Sequence, residues 1–311
     1  MNFDLTDDQI ALRDGIRALC AGRFGMDRVR GGFDRSMFDE LAETGVFSLR
    51  SDGFTWSDAS ITFQELGRAL VPGPLVWSHM AHGLVEGIVT GVERPDDGSP
   101  VLLEHLVTVD TVVVVDAAGV HAIPRTGVAG AVELDWPLDP LTPAHRVEKL
   151  PEGERLGDAS MAAQWAMGGA VLTAAYQVGM AEACVAAATA YSLERRQFDR
   201  PIGSFQAVKH ILADMAVRAE IARAAADAAA VTLDDPAVGD VIRAVSGARL
   251  LASEAALKNA KASMQVHGGM GFTWEVDVHL YLKRAWVLNT VFGTPTAHAD
   301  ALAATLPPIA G

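Results

Sequence analysis

The chain has 311 residues, half of them hydrophobic, and 25 Lys+Arg against 39 Asp+Glu give a formal charge of −14. That length supports one large or two to three smaller domains with enough core to fold unaided, and the negative charge argues against nucleic acid as a partner. Cys20 and Cys184 are too far apart to suggest a zinc site or a disulfide framework, and Asp4, Asp7 and Asp8 do not suit a secretory signal, so a cytoplasmic enzyme or enzyme subunit is the expectation.

Residues 1–95 read as a helical domain. Thr6 and Gln9 have capping-box spacing, and Ile10, Leu12, Ile16, Leu19 and Cys20 form a helical stripe behind them. Further helices are expected over Ser36–Glu43 and Ser57–Leu70. Val71-Pro72-Gly73-Pro74 ends the latter, and another helix is expected from Leu75 to about Val89. His79 and His82, at i and i+3, lack a third metal ligand nearby and read as helix surface.

Residues 96–157 read as a small β-domain. Val112-Val113-Val114-Val115 has the composition of a strand buried on both faces. Val120–Ile123 and Gly130–Leu134 suggest further short strands, and Pro137, Pro140 and Pro143 punctuate the chain after them. Trp136 is read as a packing residue.

Residues 158–311 read as an alanine-rich bundle, with helices near Ala159–Arg196, Ser204–Leu233, Pro236–His267 and Val276–Val291 and a short one after Pro295. Ser204 is the expected cap of the second. Residues 159–181 carry no charge and are long enough to span a bilayer. Abundant Ala and Gly, polar Gln164, Thr173, Tyr176 and Gln177, and the lack of a basic flank favour a buried central helix over a membrane span.

Two segments of this bundle carry chemical information. In Glu194-Arg195-Arg196-Gln197-Phe198, followed by Ser204-Phe205-Gln206, the arginines offer forked donors to a phosphate or carboxylate. They equally complement the negative end of their own helix. In Gln265-Val266-His267-Gly268-Gly269-Met270-Gly271, three glycines permit close backbone approach to an anion. A glycine-rich helix end with no ligand is the simpler alternative. No strand precedes it, which excludes a nicotinamide-type fingerprint. Glu275, Asp277, His279 and Arg284 come next and read as helix-start and ion-pair groups.

Together these segments resemble the C-terminal domain of the acyl-CoA dehydrogenase family. The likeness extends to the opening Phe3-Asp4-Leu5-Thr6-Asp7-Asp8-Gln9 and to Glu65-Leu66-Gly67-Arg68-Ala69-Leu70. The resemblance implies a mainly α fold with a small β insert: an N-terminal helical domain, a reduced middle β-domain and a C-terminal four-helix bundle. It implies FAD at a subunit interface, taking hydride from the β-carbon of an acyl-CoA after a carboxylate removes the α-proton. Arg195 matches the arginine that reaches the partner's FAD pyrophosphate, and Gln206 the glutamine on its adenosine part. Gln265, Gly268 and Gly269 match the turn that supports the neighbour's cofactor. Gly293, Thr294 and Thr296 stand where a Glu-Gly-Thr segment touches the flavin of its own chain.

The family's catalytic carboxylate has no match. Phe292 stands where Glu precedes Gly-Thr, and the alternative position, 29 residues before Phe198, is Gly169. A Thr-Glu-Pro-x-x-Gly-Ser-Asp type loop and a Trp-x-Thr type strand, which hold the isoalloxazine, are also missing between Gly91 and Gly157. The residues retained are those a subunit lends, and the residues lost are those it would use itself. The resemblance therefore points to the short, non-catalytic subunit of an α2β2 acyl-CoA dehydrogenase of the actinobacterial steroid-side-chain type. Its expected partner carries the Glu and the flavin cradle, and an electron-transferring flavoprotein is a candidate acceptor. The alternatives are a homomeric enzyme with a displaced base, Asp300 or Glu182, and a non-redox acyl-CoA-binding scaffold.

Overall fold

The computed structural model describes residues 4–307; Phe3 of the opening motif lies outside them. Helix α1 (Asp7–Arg23) starts from the capping box its sequence announces. Thr6 Oγ accepts the Gln9 amide at 3.2 Å and Gln9 Oε1 accepts the Thr6 amide at 3.1 Å. Next come α2 (Met26–Arg30), α3 (Arg35–Glu43), α4 (Trp56–Arg68) and α5 (Leu75–Ala81). Helix α2, only five residues long, is too short to show a period in sequence. Helix α5 stops at Ala81 rather than near Val89, because Gly83 and Gly87 both take left-handed φ, +80° and +82°. His79 is buried rather than on a helix surface, with Nδ1 on the Val46 carbonyl at 3.0 Å.

Seven strands come after α5: β1 (Val89–Glu93), β2 (Val101–Glu104), β3 (Thr111–Asp116), β4 (Gly119–Pro124), β5 (Val132–Glu133), β6 (Ala144–Val147) and β7 (Glu154–Asp158). They make a four-stranded sheet in the order β1-β3-β4-β7 and a three-stranded one in the order β2-β6-β5. Strand β1 falls in a stretch expected to be helical, yet it pairs in parallel with β3, Val89 opposite Thr111. The valine run of β3 is buried on both faces, as its composition predicts. Val113 and Val115 pack towards the helices, while Val112 and Val114 pack towards the second sheet. Trp136 does not pack: it is 93 % exposed. Its neighbours Asp135, Pro137 and Leu138 run over the surface, so no wall forms around it.

The rest is helical apart from a two-stranded hairpin. Helix α6 (Ala159–Glu194) leads into β8 (Arg196–Gln197) and β9 (Arg200–Pro201); α7 (Gln206–Asp234), α8 (Val241–His267), α9 (Val278–Leu288) and α10 (Pro295–Ala304) complete it. Asp158 caps α6 by accepting the Ser160 and Met161 amides. Ser204 does not cap α7: its hydroxyl donates to the Pro201 carbonyl at 2.7 Å, and Phe205 holds the cap position. Helix α6 is long and apolar enough to cross a bilayer. It instead lies against α4, α7 and α8, with 72 % of its most apolar window buried.

Candidate functional site

Five of the residues singled out in sequence gather at one end of the bundle. Helices α6 and α8 end side by side there, with Tyr191 stacked on His267 at a 4.3 Å centroid distance. Arg195 caps α6 and Gln206 opens α7, and the Ile202 amide on the Arg195 carbonyl at 2.8 Å ties their connection down. Gln265, Gly268 and Gly269 end α8 beside them, and all five are exposed. The Arg195 and Gln206 side chains make no hydrogen bond or ion pair to the described residues, and a Cβ built on Gly268 or Gly269 meets nothing within 4 Å. Between β8 and β9, Phe198 and Asp199 both take positive φ, 51° and 60°, a conformation that costs an ordinary residue energy. It leaves Phe198 87 % exposed, and Phe272 is exposed in the glycine turn at the same end.

Thr294 and Thr296 are not part of this group. Thr294 caps α10, accepting the Ala297 amide at 3.2 Å, and both are exposed. They come after a turn anchored on Arg249, 16 residues before Gln265 in α8, which puts the two ends roughly 24 Å apart along the helix.

That turn carries Phe292, whose ring is buried in a four-layer stack. A Cβ on Gly91 of β1 would meet the Trp77 ring at 2.4 Å, and Trp77 stacks on Phe292 with centroids 4.1 Å apart. On the other side, a Cβ on Gly169 of α6 would meet the Phe292 ring at 2.2 Å. The two places where the family's carboxylate is expected are thus one place in space, filled by a phenyl ring. Glycine at 169 is what lets that ring in.

Buried polar groups fix the turn. Arg249 donates to the Val291 carbonyl at 2.9 Å, to the Leu288 carbonyl and to Gln177 Oε1 at 2.5 Å. Burial lowers its pKa to about 10, against the pull of Glu93. The Gly293 amide donates to Glu93 Oε2 at 2.8 Å, and His298 Nε2 bonds the Phe292 carbonyl at 2.8 Å. Burial raises the pKa of Glu93, opposed by the Gly293 amide and Arg249. Glu93 and Arg249 escaped sequence reasoning; an arginine set among the small and apolar residues 244–252 of α8 was the available signal.

Neither displaced base reaches this point. Glu182 pairs with Arg68 and lies 3.6 Å from Arg223, 13 residues and roughly 20 Å along α6 from Gly169. Asp300 is exposed on α10. Arg284 and Asp277 are ion-paired as expected, with Asp139 at 2.5 Å and Arg30 at 2.6 Å.

The model of the acyl-CoA dehydrogenase C-terminal domain matches residues 160–306. Over 307 residues the chain is 34 % identical to the acyl-CoA dehydrogenase IpdE2 of Mycobacterium tuberculosis, covering 90 % of this chain and 91 % of that one. This chain belongs to the acyl-CoA dehydrogenase family. Among solved structures, the ChsE4-ChsE5 complex from Mycobacterium tuberculosis superposes with a TM-score of 0.84 at 21 % identity, over 99 % of this chain and 100 % of that one. The Tcur3481-Tcur3483 steroid acyl-CoA dehydrogenase superposes at 0.81 and 17 % identity, over 96 % and 97 %. At these identities the shared property is the acyl-CoA dehydrogenase fold, mainly helical with a small β insert.

Proposed function

We propose that this chain is a non-catalytic subunit of a heteromeric, FAD-dependent acyl-CoA dehydrogenase, and that it completes the FAD site of a partner subunit. The observation that carries this reading is the ring stack: Phe292, seated on Gly169, fills both positions at which the family places its base, and a phenyl group takes no proton. In contrast, the residues a subunit would lend are exposed and assembled. Arg195 has a free guanidinium for a pyrophosphate, the first amides of α7 stand beside Gln206, and the backbone at Gly268 and Gly269 is open. These groups fit the nucleotide end of FAD. The surroundings of Phe292 do not fit the flavin end, since the Trp77–Phe292 pair occupies the interior there.

When bound, FAD supplies the hydride acceptor for α,β-dehydrogenation of the acyl-CoA. The partner supplies the base and the flavin cradle, and exposed Phe198 and Phe272 beside Arg195 give it an apolar surface to cover. Two relatives support a paired assembly: one solved structure is named as a ChsE4-ChsE5 complex, another as a Tcur3481-Tcur3483 steroid enzyme. A bulky, steroid-type acyl-CoA in an α2β2 assembly, with an electron-transferring flavoprotein as acceptor, is the corresponding proposal for this chain. Thr294 and Thr296, at the far end of α8, have no part in that lent site.

The test is co-production with an acyl-CoA dehydrogenase subunit that retains the Glu. A yellow complex is expected, and a colourless product when this chain is made alone. Stoichiometric FAD on the lone chain, with acyl-CoA oxidation, would refute the proposal.

A further inference from the structure

The Arg195 guanidinium and the open backbone at Gly268 and Gly269 stand on different elements, the ends of α6 and α8. Both helices present their C-terminal carbonyls there, about half a negative charge each, so the two ends repel one another. The approach to this end is built from small side chains. Residues 186–190 of α6 are Ala, Ala, Ala, Thr and Ala, and Ala188 is fully buried, as are Ala260 and Ser263 of α8. Small side chains let two backbones approach but do not fix where the helix ends stand. Tyr191 and His267 bring the first rings to this seam, stacked at 4.3 Å with 26° between their planes. His267 is 7 % exposed, and its Nδ1 donates to the Ser263 carbonyl at 2.8 Å, which holds the imidazole in place. Each ring is tied to one half of the site. The Tyr191 carbonyl accepts the Arg195 amide at 2.9 Å, one helical turn on. His267 directly precedes Gly268, whose φ of +62° with ψ of −137° is a conformation that glycine alone takes readily.

We propose that the Tyr191–His267 stack is the positioning element of the lent site: it sets the distance between Arg195 and the glycine turn, so that both reach one dinucleotide. The inference rests on the FAD reading above. Neither ring is assigned a contact with FAD; both act through Arg195 and the turn. A guanidinium grips a phosphate only at hydrogen-bond distance, and a binding constellation works when its members are held within about 0.5 Å. Without the stack, α6 and α8 keep their small-residue packing while their ends shift relative to each other. The rings serve as spacers, so a phenyl group at 267 does the work of the imidazole.

The test is a double-mutant cycle on FAD affinity, read by flavin fluorescence titration of the complex with a Glu-bearing partner after its FAD has been stripped. Tyr191→Leu and His267→Ala, each checked for folding by circular dichroism and for assembly by gel filtration, are expected to weaken FAD binding at least about tenfold. In an Arg195→Ala background the same changes are expected to weaken it less than about threefold, because the group they position is gone. His267→Phe is expected to restore affinity close to that of the wild type. Equal losses in both backgrounds, wild-type affinity in both truncated variants, or a His267→Phe complex as weak as His267→Ala would each overturn the proposal. Failure of both truncated variants to fold or assemble would make the stack a stability element and overturn it too. If Arg195→Ala alone leaves FAD binding unchanged, or the wild-type complex takes up no FAD, the FAD reading itself falls and this inference with it.

Discussion

A carboxylate at position 292 would be sealed between Trp77 and Gly169, close to the half-buried Glu93. Phe292→Glu is therefore expected to lower stability by about 3–5 kcal/mol in urea unfolding and to leave the chain without acyl-CoA oxidation. Wild-type stability in that variant would mean the stack is looser than described. At Glu104 the prediction concerns pH. Its carboxyl is raised from 4.5 to about 7 by burial, opposed by Arg284 and reinforced by Asp139. Between those values the folded chain keeps a proton that the unfolded chain has released, so this contribution is whole below about pH 4.5 and withdrawn as pH rises through about 7. Glu104→Gln removes that loss. Its stability relative to wild type should rise between about pH 5 and 8 by up to about 3 kcal/mol. A flat difference across that window would contradict the assigned environment.

Helices α4 and α6 touch backbone to backbone. A Cβ on Gly67 would lie 1.9 Å from the Tyr176 carbonyl oxygen, and one on Gly179 would lie 1.8 Å from that of Gln64. Neither neighbour can yield without parting the helices, so Gly67→Ala or Gly179→Ala should destabilise by about 2–3 kcal/mol. Gly247 in α8 has open space around its Cβ position. Gly247→Ala should instead stabilise by about 0.5–1 kcal/mol in the same unfolding assay. Opposite signs are the check; equal effects would mean helix propensity alone governs these positions. Element by element, the sequence is readable where a local rule sets the outcome. The Thr6–Gln9 box announces α1, and four consecutive valines announce β3. It is unreadable where partners distant in the chain decide. Strands β2 and β6 have four residues each and are defined by pairing to each other. Val89–Glu93 becomes a strand because β3 lies beside it. Trp136 has the composition of a packing residue but no wall to pack against. In the site, the family resemblance singles out Arg195, Gln206 and the glycine turn, whereas Glu93, Glu104 and Arg249 need the fold to show what they face.

At the scale of the molecule, the two ends of α8 differ in kind. One carries exposed, unpaired groups and apolar side chains; the other is closed by Phe292, Arg249 and His298. Arg195→Ala touches only the first. It should leave the unfolding of this chain within about 0.5 kcal/mol of wild type while lowering the FAD content of a complex with a Glu-bearing partner. The most direct test of the central claim is the flavin absorption spectrum of that complex, read with wild-type chain and with Arg195→Ala. The expected result is one FAD for each pair of unlike subunits, with a marked loss in the variant and no flavin on the lone chain. Full FAD occupancy on the lone chain, or a complex whose flavin is indifferent to Arg195, would contradict it.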